Sequence, residues 1–231
     1  MRKSAVKKGR ATPKKKSVKK TRNDTSAKAK FTDKPKLVRK KETTGSYKGI
    51  EYDSLEELAF LQWASELQKI GYIKSIHRAP SYLLSDSIVN NYAENRVTTS
   101  KPATQTILQG HSYTPEFVII WSKKSTDHIV WDINESSKYT KYFIGTVTES
   151  GDYQTFVEIK PLWDQNNMER LFKLNQKWMF QKHNIFVNLI KCPELFDKTF
   201  TPKEYLTTKT GKNRTIKWKV KTIYEFLNPK K

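Results

Sequence analysis

Glu158 and Lys160 close the stretch YQTFVEIKP, residues 153–161, in which polar and apolar side chains alternate up to a proline. On a strand the two point to one face, because side chains alternate with period two, while Val157 and Ile159 turn the other way into packing. One reading is a surface ion pair worth roughly 0–1 kcal/mol. A second carboxylate opens another. Glu116 interrupts the apolar run YTPEFVIIW, residues 113–121, directly after Pro115. If the two strands are neighbours, Glu116 and Glu158 converge, and paired carboxylate oxygens are what a hard Mg²⁺ ion requires. Lys160 then lies beside the metal. Pro161 has no N–H for a continuing ladder, so the strand ends where its polar face can open to a groove.

These side chains need a scaffold, and the hydrophobic pattern predicts one. SYKGIEYDS reads as a short strand and turn, with the folded part starting near Tyr47. Apolar residues at 55, 59, 63, 67 and 70 predict a helix from Leu55 to Ile70, ended by Gly71. Its start carries two capping-box intervals, Asp53 with Glu56 and Ser54 with Glu57. YIKSIHRAPSYLL predicts an extended segment broken by Pro80, and residues 85–111 are polar and weakly patterned. YTPEFVIIW and HIVWDI (128–133) read as strands joined by a hairpin loop, SKKSTD. Residues 134–152 form a polar excursion before the YQTFVEIK strand. MERLFKLNQKWMFQKHN then predicts an amphipathic helix with Trp178 in the core, and IFVNLI a buried strand. In the basic end of the chain, the TGKN turn before RTIKWKV predicts a strand pair. Lys217, Trp218 and Lys219 there read either as a nucleic-acid-touching strand or as an edge guarded by lysines. The sum is a mixed α/β core, without a GxGxxG or Walker sequence.

Charge separates the chain into unlike parts. Residues 1–41 hold 18 Lys or Arg against Asp24 and Asp33, a net of +16, whereas the other 190 residues hold 26 basic and 21 acidic groups, a net of +5. The tail has one aromatic residue, Phe31, and too little apolar surface to offset an ordering cost of about 1–2 kcal/mol per residue, so disorder is expected. Lys14, Lys15, Lys16, Lys19 and Lys20 are its densest cluster and fit sequence-independent contact with nucleic-acid phosphates. A solubilising or targeting extension is the plainer alternative. Mean hydropathy is −0.76 and no apolar run approaches the ~18 residues of a membrane span, nor does an apolar core follow the charged N-terminus as in a secretory signal. A cytoplasmic location is expected, the host cytoplasm for a viral protein, with packaging in a virion as a variant. A single cysteine, Cys192, excludes an internal disulfide and a thiolate zinc cage, and the four histidines are dispersed over four segments.

These residues resemble the PD-(D/E)xK nuclease superfamily, in particular its phage-type members and the endonuclease subunit of Tn7-like transposons. The resemblance spans about residues 47–190. It consists of Ser54-x-x-Glu57 opening a helix, YTPEF at 113–117, VEIK at 157–160, and a helix with a closing strand. Glu116 stands where Asp is usual, and about forty residues separate it from Glu158.

The resemblance implies a restriction-endonuclease-like core, a short mixed sheet flanked by helices, over residues 47–192. A basic tail at 1–46 and a basic extension at 193–231 flank it. It further implies a metal-dependent DNA nuclease. Glu116, Glu158 and the backbone carbonyl of Ile159 hold one or two Mg²⁺ ions, with Mn²⁺ substituting, and Glu57 completes or orients the site. Glu56 competes with Glu57 for that role; spacing from Ser54 and the following Phe60 and Leu61 favour Glu57, while both also fit a capping box. Lys160 orients the attacking water and stabilises developing charge. On the second helix, Asn175, Lys177 and Gln181 are candidates for backbone contact. DNA is the expected partner, with a homodimer or a second protein supplying specificity. A non-catalytic DNA-binding or virion-associated protein on the same scaffold is the rival reading.

Overall fold

A computed structural model describes residues 43–95, 97–125, 129–132, 142–163, 167–208 and 210–228. The first strands, β1 (Gly45–Tyr47) and β2 (Ile50–Tyr52), form a hairpin around Lys48 and Gly49. Both turn residues have positive φ (51° and 81°), as a two-residue turn matching strand twist requires. Helix α1 (Leu55–Lys69) starts at Ser54, whose Oγ accepts from the Glu57 N–H at 3.1 Å. It stops at Ile70, ahead of Gly71 at φ 77°.

The strands that follow are β3 (Ile73–Arg78), β4 (Tyr82–Ser85), β5 (Ile88–Asn95), β6 (Ser100–Leu108), β7 (His111–Tyr113), β8 (Phe117–Trp121), β9 (Val130–Asp132), β10 (Phe143–Val147) and β11 (Tyr153–Ile159). Helix α2 (Met168–His183), strand β12 (Val187–Ile190), and helices α3 (Cys192–Lys198) and α4 (Ile223–Leu227) complete the order.

Six strands make the main sheet, in the order β3-β8-β11-β10-β9, with β12 also on β11. The sheet is mixed: β3, β8, β11 and β10 pair antiparallel in turn, while β9 runs parallel to β10 and β12 parallel to β11. Strand β11 is its centre. One edge faces β8 from Tyr153 to Val157, and the other forks, with β10 at Tyr153 and Gln154 and β12 from Phe156 to Ile159.

Asn188 fills the fork with its side-chain amide. Its Nδ2 donates to the carbonyls of Ile144 (2.8 Å) and Phe156 (3.0 Å), and its Oδ1 accepts from the Ile144 N–H (2.9 Å). A buried amide thus replaces the ladder bonds that the diverging backbones cannot make to each other.

The two sheet faces pack against different helices. On one, Phe60, Trp63 and Leu67 of α1 meet Phe117, Ile119, Trp121, Val157 and Ile159, together with Phe196 and Phe200 from the C-terminal part. Trp63 is fully buried among the rings of Phe60, Trp121, Phe143 and Phe200, and its Nε1–H donates to Thr199 Oγ1 at 3.0 Å. On the other face, Phe172 and Met179 of α2 cover Val118, Phe156 and Val187. The expected split of β11 holds: Val157 and Ile159 belong to the α1 side and Phe156 to the α2 side.

Several expectations are corrected. YTPEFVIIW is two strands, broken at 114–116 by Pro115, so Glu116 lies in the bend before β8. β9 is no hairpin partner of β8; it pairs β10, and a 3₁₀ turn over Lys123–Ser125 occupies the loop. The polar stretch 85–111 contains a long antiparallel ribbon, β5 with β6, in which every described side chain except Ala103 is exposed. Among the described residues of 193–231 there is no strand pair, and an isolated bridge joins Thr207 to Asn213. Trp218 packs on Phe196 and Tyr205, and its Nε1–H donates to Thr201 Oγ1 at 3.0 Å. Trp178 is not in the core but 37% exposed, edge-on to His111.

Candidate active site

The β8–β11 pairing brings the two strand carboxylates together. Val157 is opposite Phe117, and one step further the Glu116 N–H donates to the Val157 carbonyl at 3.0 Å. Glu116 Oε2 accepts from the Ile159 N–H at 2.6 Å. Burial first, then the charges of Glu158 and Glu57, push the Glu116 carboxyl up to about 8. The Ile159 N–H and Lys160 pull the other way without offsetting them.

Glu158, 7% exposed, has two partners. Lys160 Nζ is 2.6 Å from its Oε1, and the Tyr113 hydroxyl donates to its Oε2 at 2.9 Å. The strand alternation that sets Glu158 and Lys160 on one face therefore ends in direct contact. The Lys160 backbone is fixed by its N–H to the Ile190 carbonyl at 2.9 Å, one ladder bond past the end of β11. Burial and the neighbouring charges of Glu158 and Glu116 raise the Tyr113 phenol, so it stays a donor. Tyr113 was visible as the first residue of YTPEF, but nothing in the spacing said that its hydroxyl would reach across to β11.

Of the two helix glutamates, Glu57 is the buried one, at 4% exposure. Its carboxylate accepts from Ser54 Oγ and from the Asp53 N–H, both at 3.1 Å, and pairs with Arg78 of β3 at 2.9 Å. It is a helix cap and a neighbour of the strand carboxylates at once, since its charge is felt at Glu116. Arg78 is a further residue of the site missed in the sequence. It spans Asp53 and Glu57 and lies 4.8 Å over the Phe117 ring, but a lone arginine at a strand end carries no signal.

A cleft of about 800 Å³ opens here. Glu56, Glu57, Glu116, Ile159 and Lys160 line it, with Trp163 and Arg214 among the other residues at its wall. Cys192 lines it too, yet burial pushes its thiol up and its S–H donates to the Glu56 carbonyl at 3.3 Å, so it is no nucleophile.

The remaining candidates fall elsewhere. Lys177 and Gln181 are exposed on α2 and line two other hollows, and Lys217 and Lys219 are exposed outside the cleft. Asn175 is buried and accepts from His111 Nε2–H at 3.0 Å, a packing role instead of a backbone contact. Lys14, Lys15, Lys16, Lys19 and Lys20 lie outside the described residues.

Among the described residues no group of three or more His, Cys, Asp or Glu has metal-holding geometry. The reason is legible: each carboxylate is held by an internal partner, Arg78, Lys160 with Tyr113, or the Ile159 N–H. The chemistry of the set nonetheless fits a hard cation. It is all oxygen, and the charges of Glu158 and Glu57 both reach Glu116, so three carboxyls share one neighbourhood.

No family model matches the chain, and no curated protein or solved structure matches it. No helix among the described residues is long and apolar enough to cross a membrane.

Proposed function

We propose that this protein is a metal-dependent DNA nuclease that hydrolyses phosphodiester bonds, built on a restriction-endonuclease-like core. The observation that carries the reading is the meeting of Glu116, Glu158 and Lys160 at the ends of two paired strands, beside an open cleft. A surface ion pair alone does not explain why Glu158 is buried or why Glu116 is held against the Ile159 N–H.

Glu116, Glu158 and the Ile159 carbonyl would hold Mg²⁺ or Mn²⁺, with Glu57 at the margin. When bound, the ion supplies positive charge for the scissile phosphate and acidity for a bound water. The chain's own groups do the positioning. The Tyr113 hydroxyl fixes the Glu158 carboxylate, and the Ile159 N–H fixes that of Glu116. Lys160, anchored through its backbone to β12, presents an ammonium that orients the water and stabilises charge building on the phosphate oxygens.

The test is cleavage of supercoiled plasmid, linear duplex and branched DNA in Mg²⁺. Glu158→Ala and Lys160→Ala should each lower the rate at least ~100-fold, as loss of a group acting on transition-state charge does, while binding in Ca²⁺ persists. Cleavage that survives Glu158→Ala sinks the proposal.

A further inference from the structure

The cleft carries aromatic surface that hydrolysis does not use. Trp163, three residues beyond Lys160, is 78% exposed, while Trp63 and Trp121 are fully buried. Leu162 and Met168, each 45% exposed, line the same cleft. From the C-terminal segment Arg214 enters it as well, its guanidinium stacked 4.8 Å over the Tyr205 ring. Two separate elements thus supply flat π surfaces to the cavity that holds Glu116 and Lys160.

The charge of the cleft matters here. Its described lining has two cations, Lys160 and Arg214, against Glu56, Glu57, Glu116 and Glu169; Glu57 is paired with Arg78 and Glu169 with Lys191, while Lys160 is itself paired with Glu158. Such a wall does not draw in a phosphate backbone by charge alone. Stacking is the attraction it offers, and a base offers a face for stacking only when it is unpaired and unstacked from its neighbours.

Resting on the nuclease reading above, we infer that the cleft takes DNA with unpaired bases beside the scissile phosphate, as in a single strand or the open arm of a forked duplex. Trp163 stacks on a base, and Arg214, held flat by Tyr205, meets a second base or the adjoining phosphate. An exposed indole also suits a protein partner, and DNA binding that ignores Trp163 would favour that use instead.

The experiment uses the full chain in Ca²⁺ at moderate salt, where the basic tail contributes little to discrimination. The probes are a fluorescein-labelled single strand, a duplex and a forked duplex of matched length, plus a single strand with 2-aminopurine at its centre. The wild type should bind the single strand and the fork more tightly than the duplex, and it should quench 2-aminopurine. Trp163→Ala should lose roughly ten-fold in affinity for the single strand and the fork, leave the duplex within about two-fold, and abolish quenching. Trp163→Phe should restore much of both.

Equal binding of all three probes by wild type and Trp163→Ala, with 2-aminopurine left bright, overturns the inference. Mg²⁺-dependent cleavage lost in Glu158→Ala would then still uphold the nuclease reading. Conversely, quenching that depends on Trp163 upholds the stacking site even if no DNA is cut in Mg²⁺ or Mn²⁺.

Discussion

Glu116 is the residue where burial and function pull apart. Its carboxyl titrates near 8 in the folded chain against 4.5 ordinarily, so between those values the folded state holds more protons than the unfolded state. Stability therefore falls as pH rises from about 4.5 to about 8, by an amount on the order of 5 kcal/mol. Glu116→Gln removes this slope. In metal-free buffer the variant should melt above the wild type at pH 8 and near it at pH 4.5, as followed by circular dichroism. Mg²⁺ should raise the wild-type melting temperature more at pH 8 than at pH 5.5 and leave the Gln variant unmoved. A Gln variant that is less stable at pH 8 would show that the Ile159 N–H contact outweighs the repulsion. The same residue shows how much of the site the sequence disclosed. Glu158 and Lys160 announced themselves by strand parity, and Glu116 by its place in an apolar run. Arg78 and Tyr113 did not, because their contacts cross between elements and leave no periodic trace.

At the level of elements, helices α1 and α2 were legible because each buries one stripe and so repeats at 3.6 residues, and strands β8, β11 and β12 because they are short apolar runs buried on both faces of the sheet. The ribbon β5–β6 was not, since both its faces are exposed and nothing forces alternation. Trp178 misled for a related reason: its helix buries only Phe172, Asn175 and Met179, a narrow stripe, and apolar residues also populate the outer face. RTIKWKV has the composition of a strand, but its tryptophan is claimed by Phe196 and Tyr205 and no described strand pairs with it. The fork beside β11 has a sharper requirement. Asn188→Leu should cost roughly 2–4 kcal/mol in urea unfolding, because the Ile144 N–H and the carbonyls of Ile144 and Phe156 lose their partner inside the sheet. Cleavage should weaken as well, since β12 anchors Lys160. A loss below about 0.5 kcal/mol would mean that water replaces the amide.

For the whole molecule, the imbalance between tail and body sets the salt response. Removing residues 1–41 takes away a net +16 and should weaken binding to duplex DNA and flatten the fall of log affinity with log salt by several units. An unchanged slope would assign the tail another task. The ribbon has a different consequence, one of colloidal behaviour. Residues 85–111 carry Asp86, Glu94, Arg96 and Lys101, formally neutral, and β5 and β6 pair with each other and with no other described strand. Their outer backbone edges are templates for a further strand, guarded on β6 by Lys101 and Pro102 but on β5 by neither a lysine nor a proline. Long-range repulsion between chains of net +21 is then what keeps ribbons apart in dilute buffer. Salt shortens that repulsion to about 3 Å at 1 M. Light scattering should rise on going from low to high salt and stay flat once residues 88–108 are replaced by a short turn, so the salt that would release DNA under the proposed function would also make the protein prone to self-association.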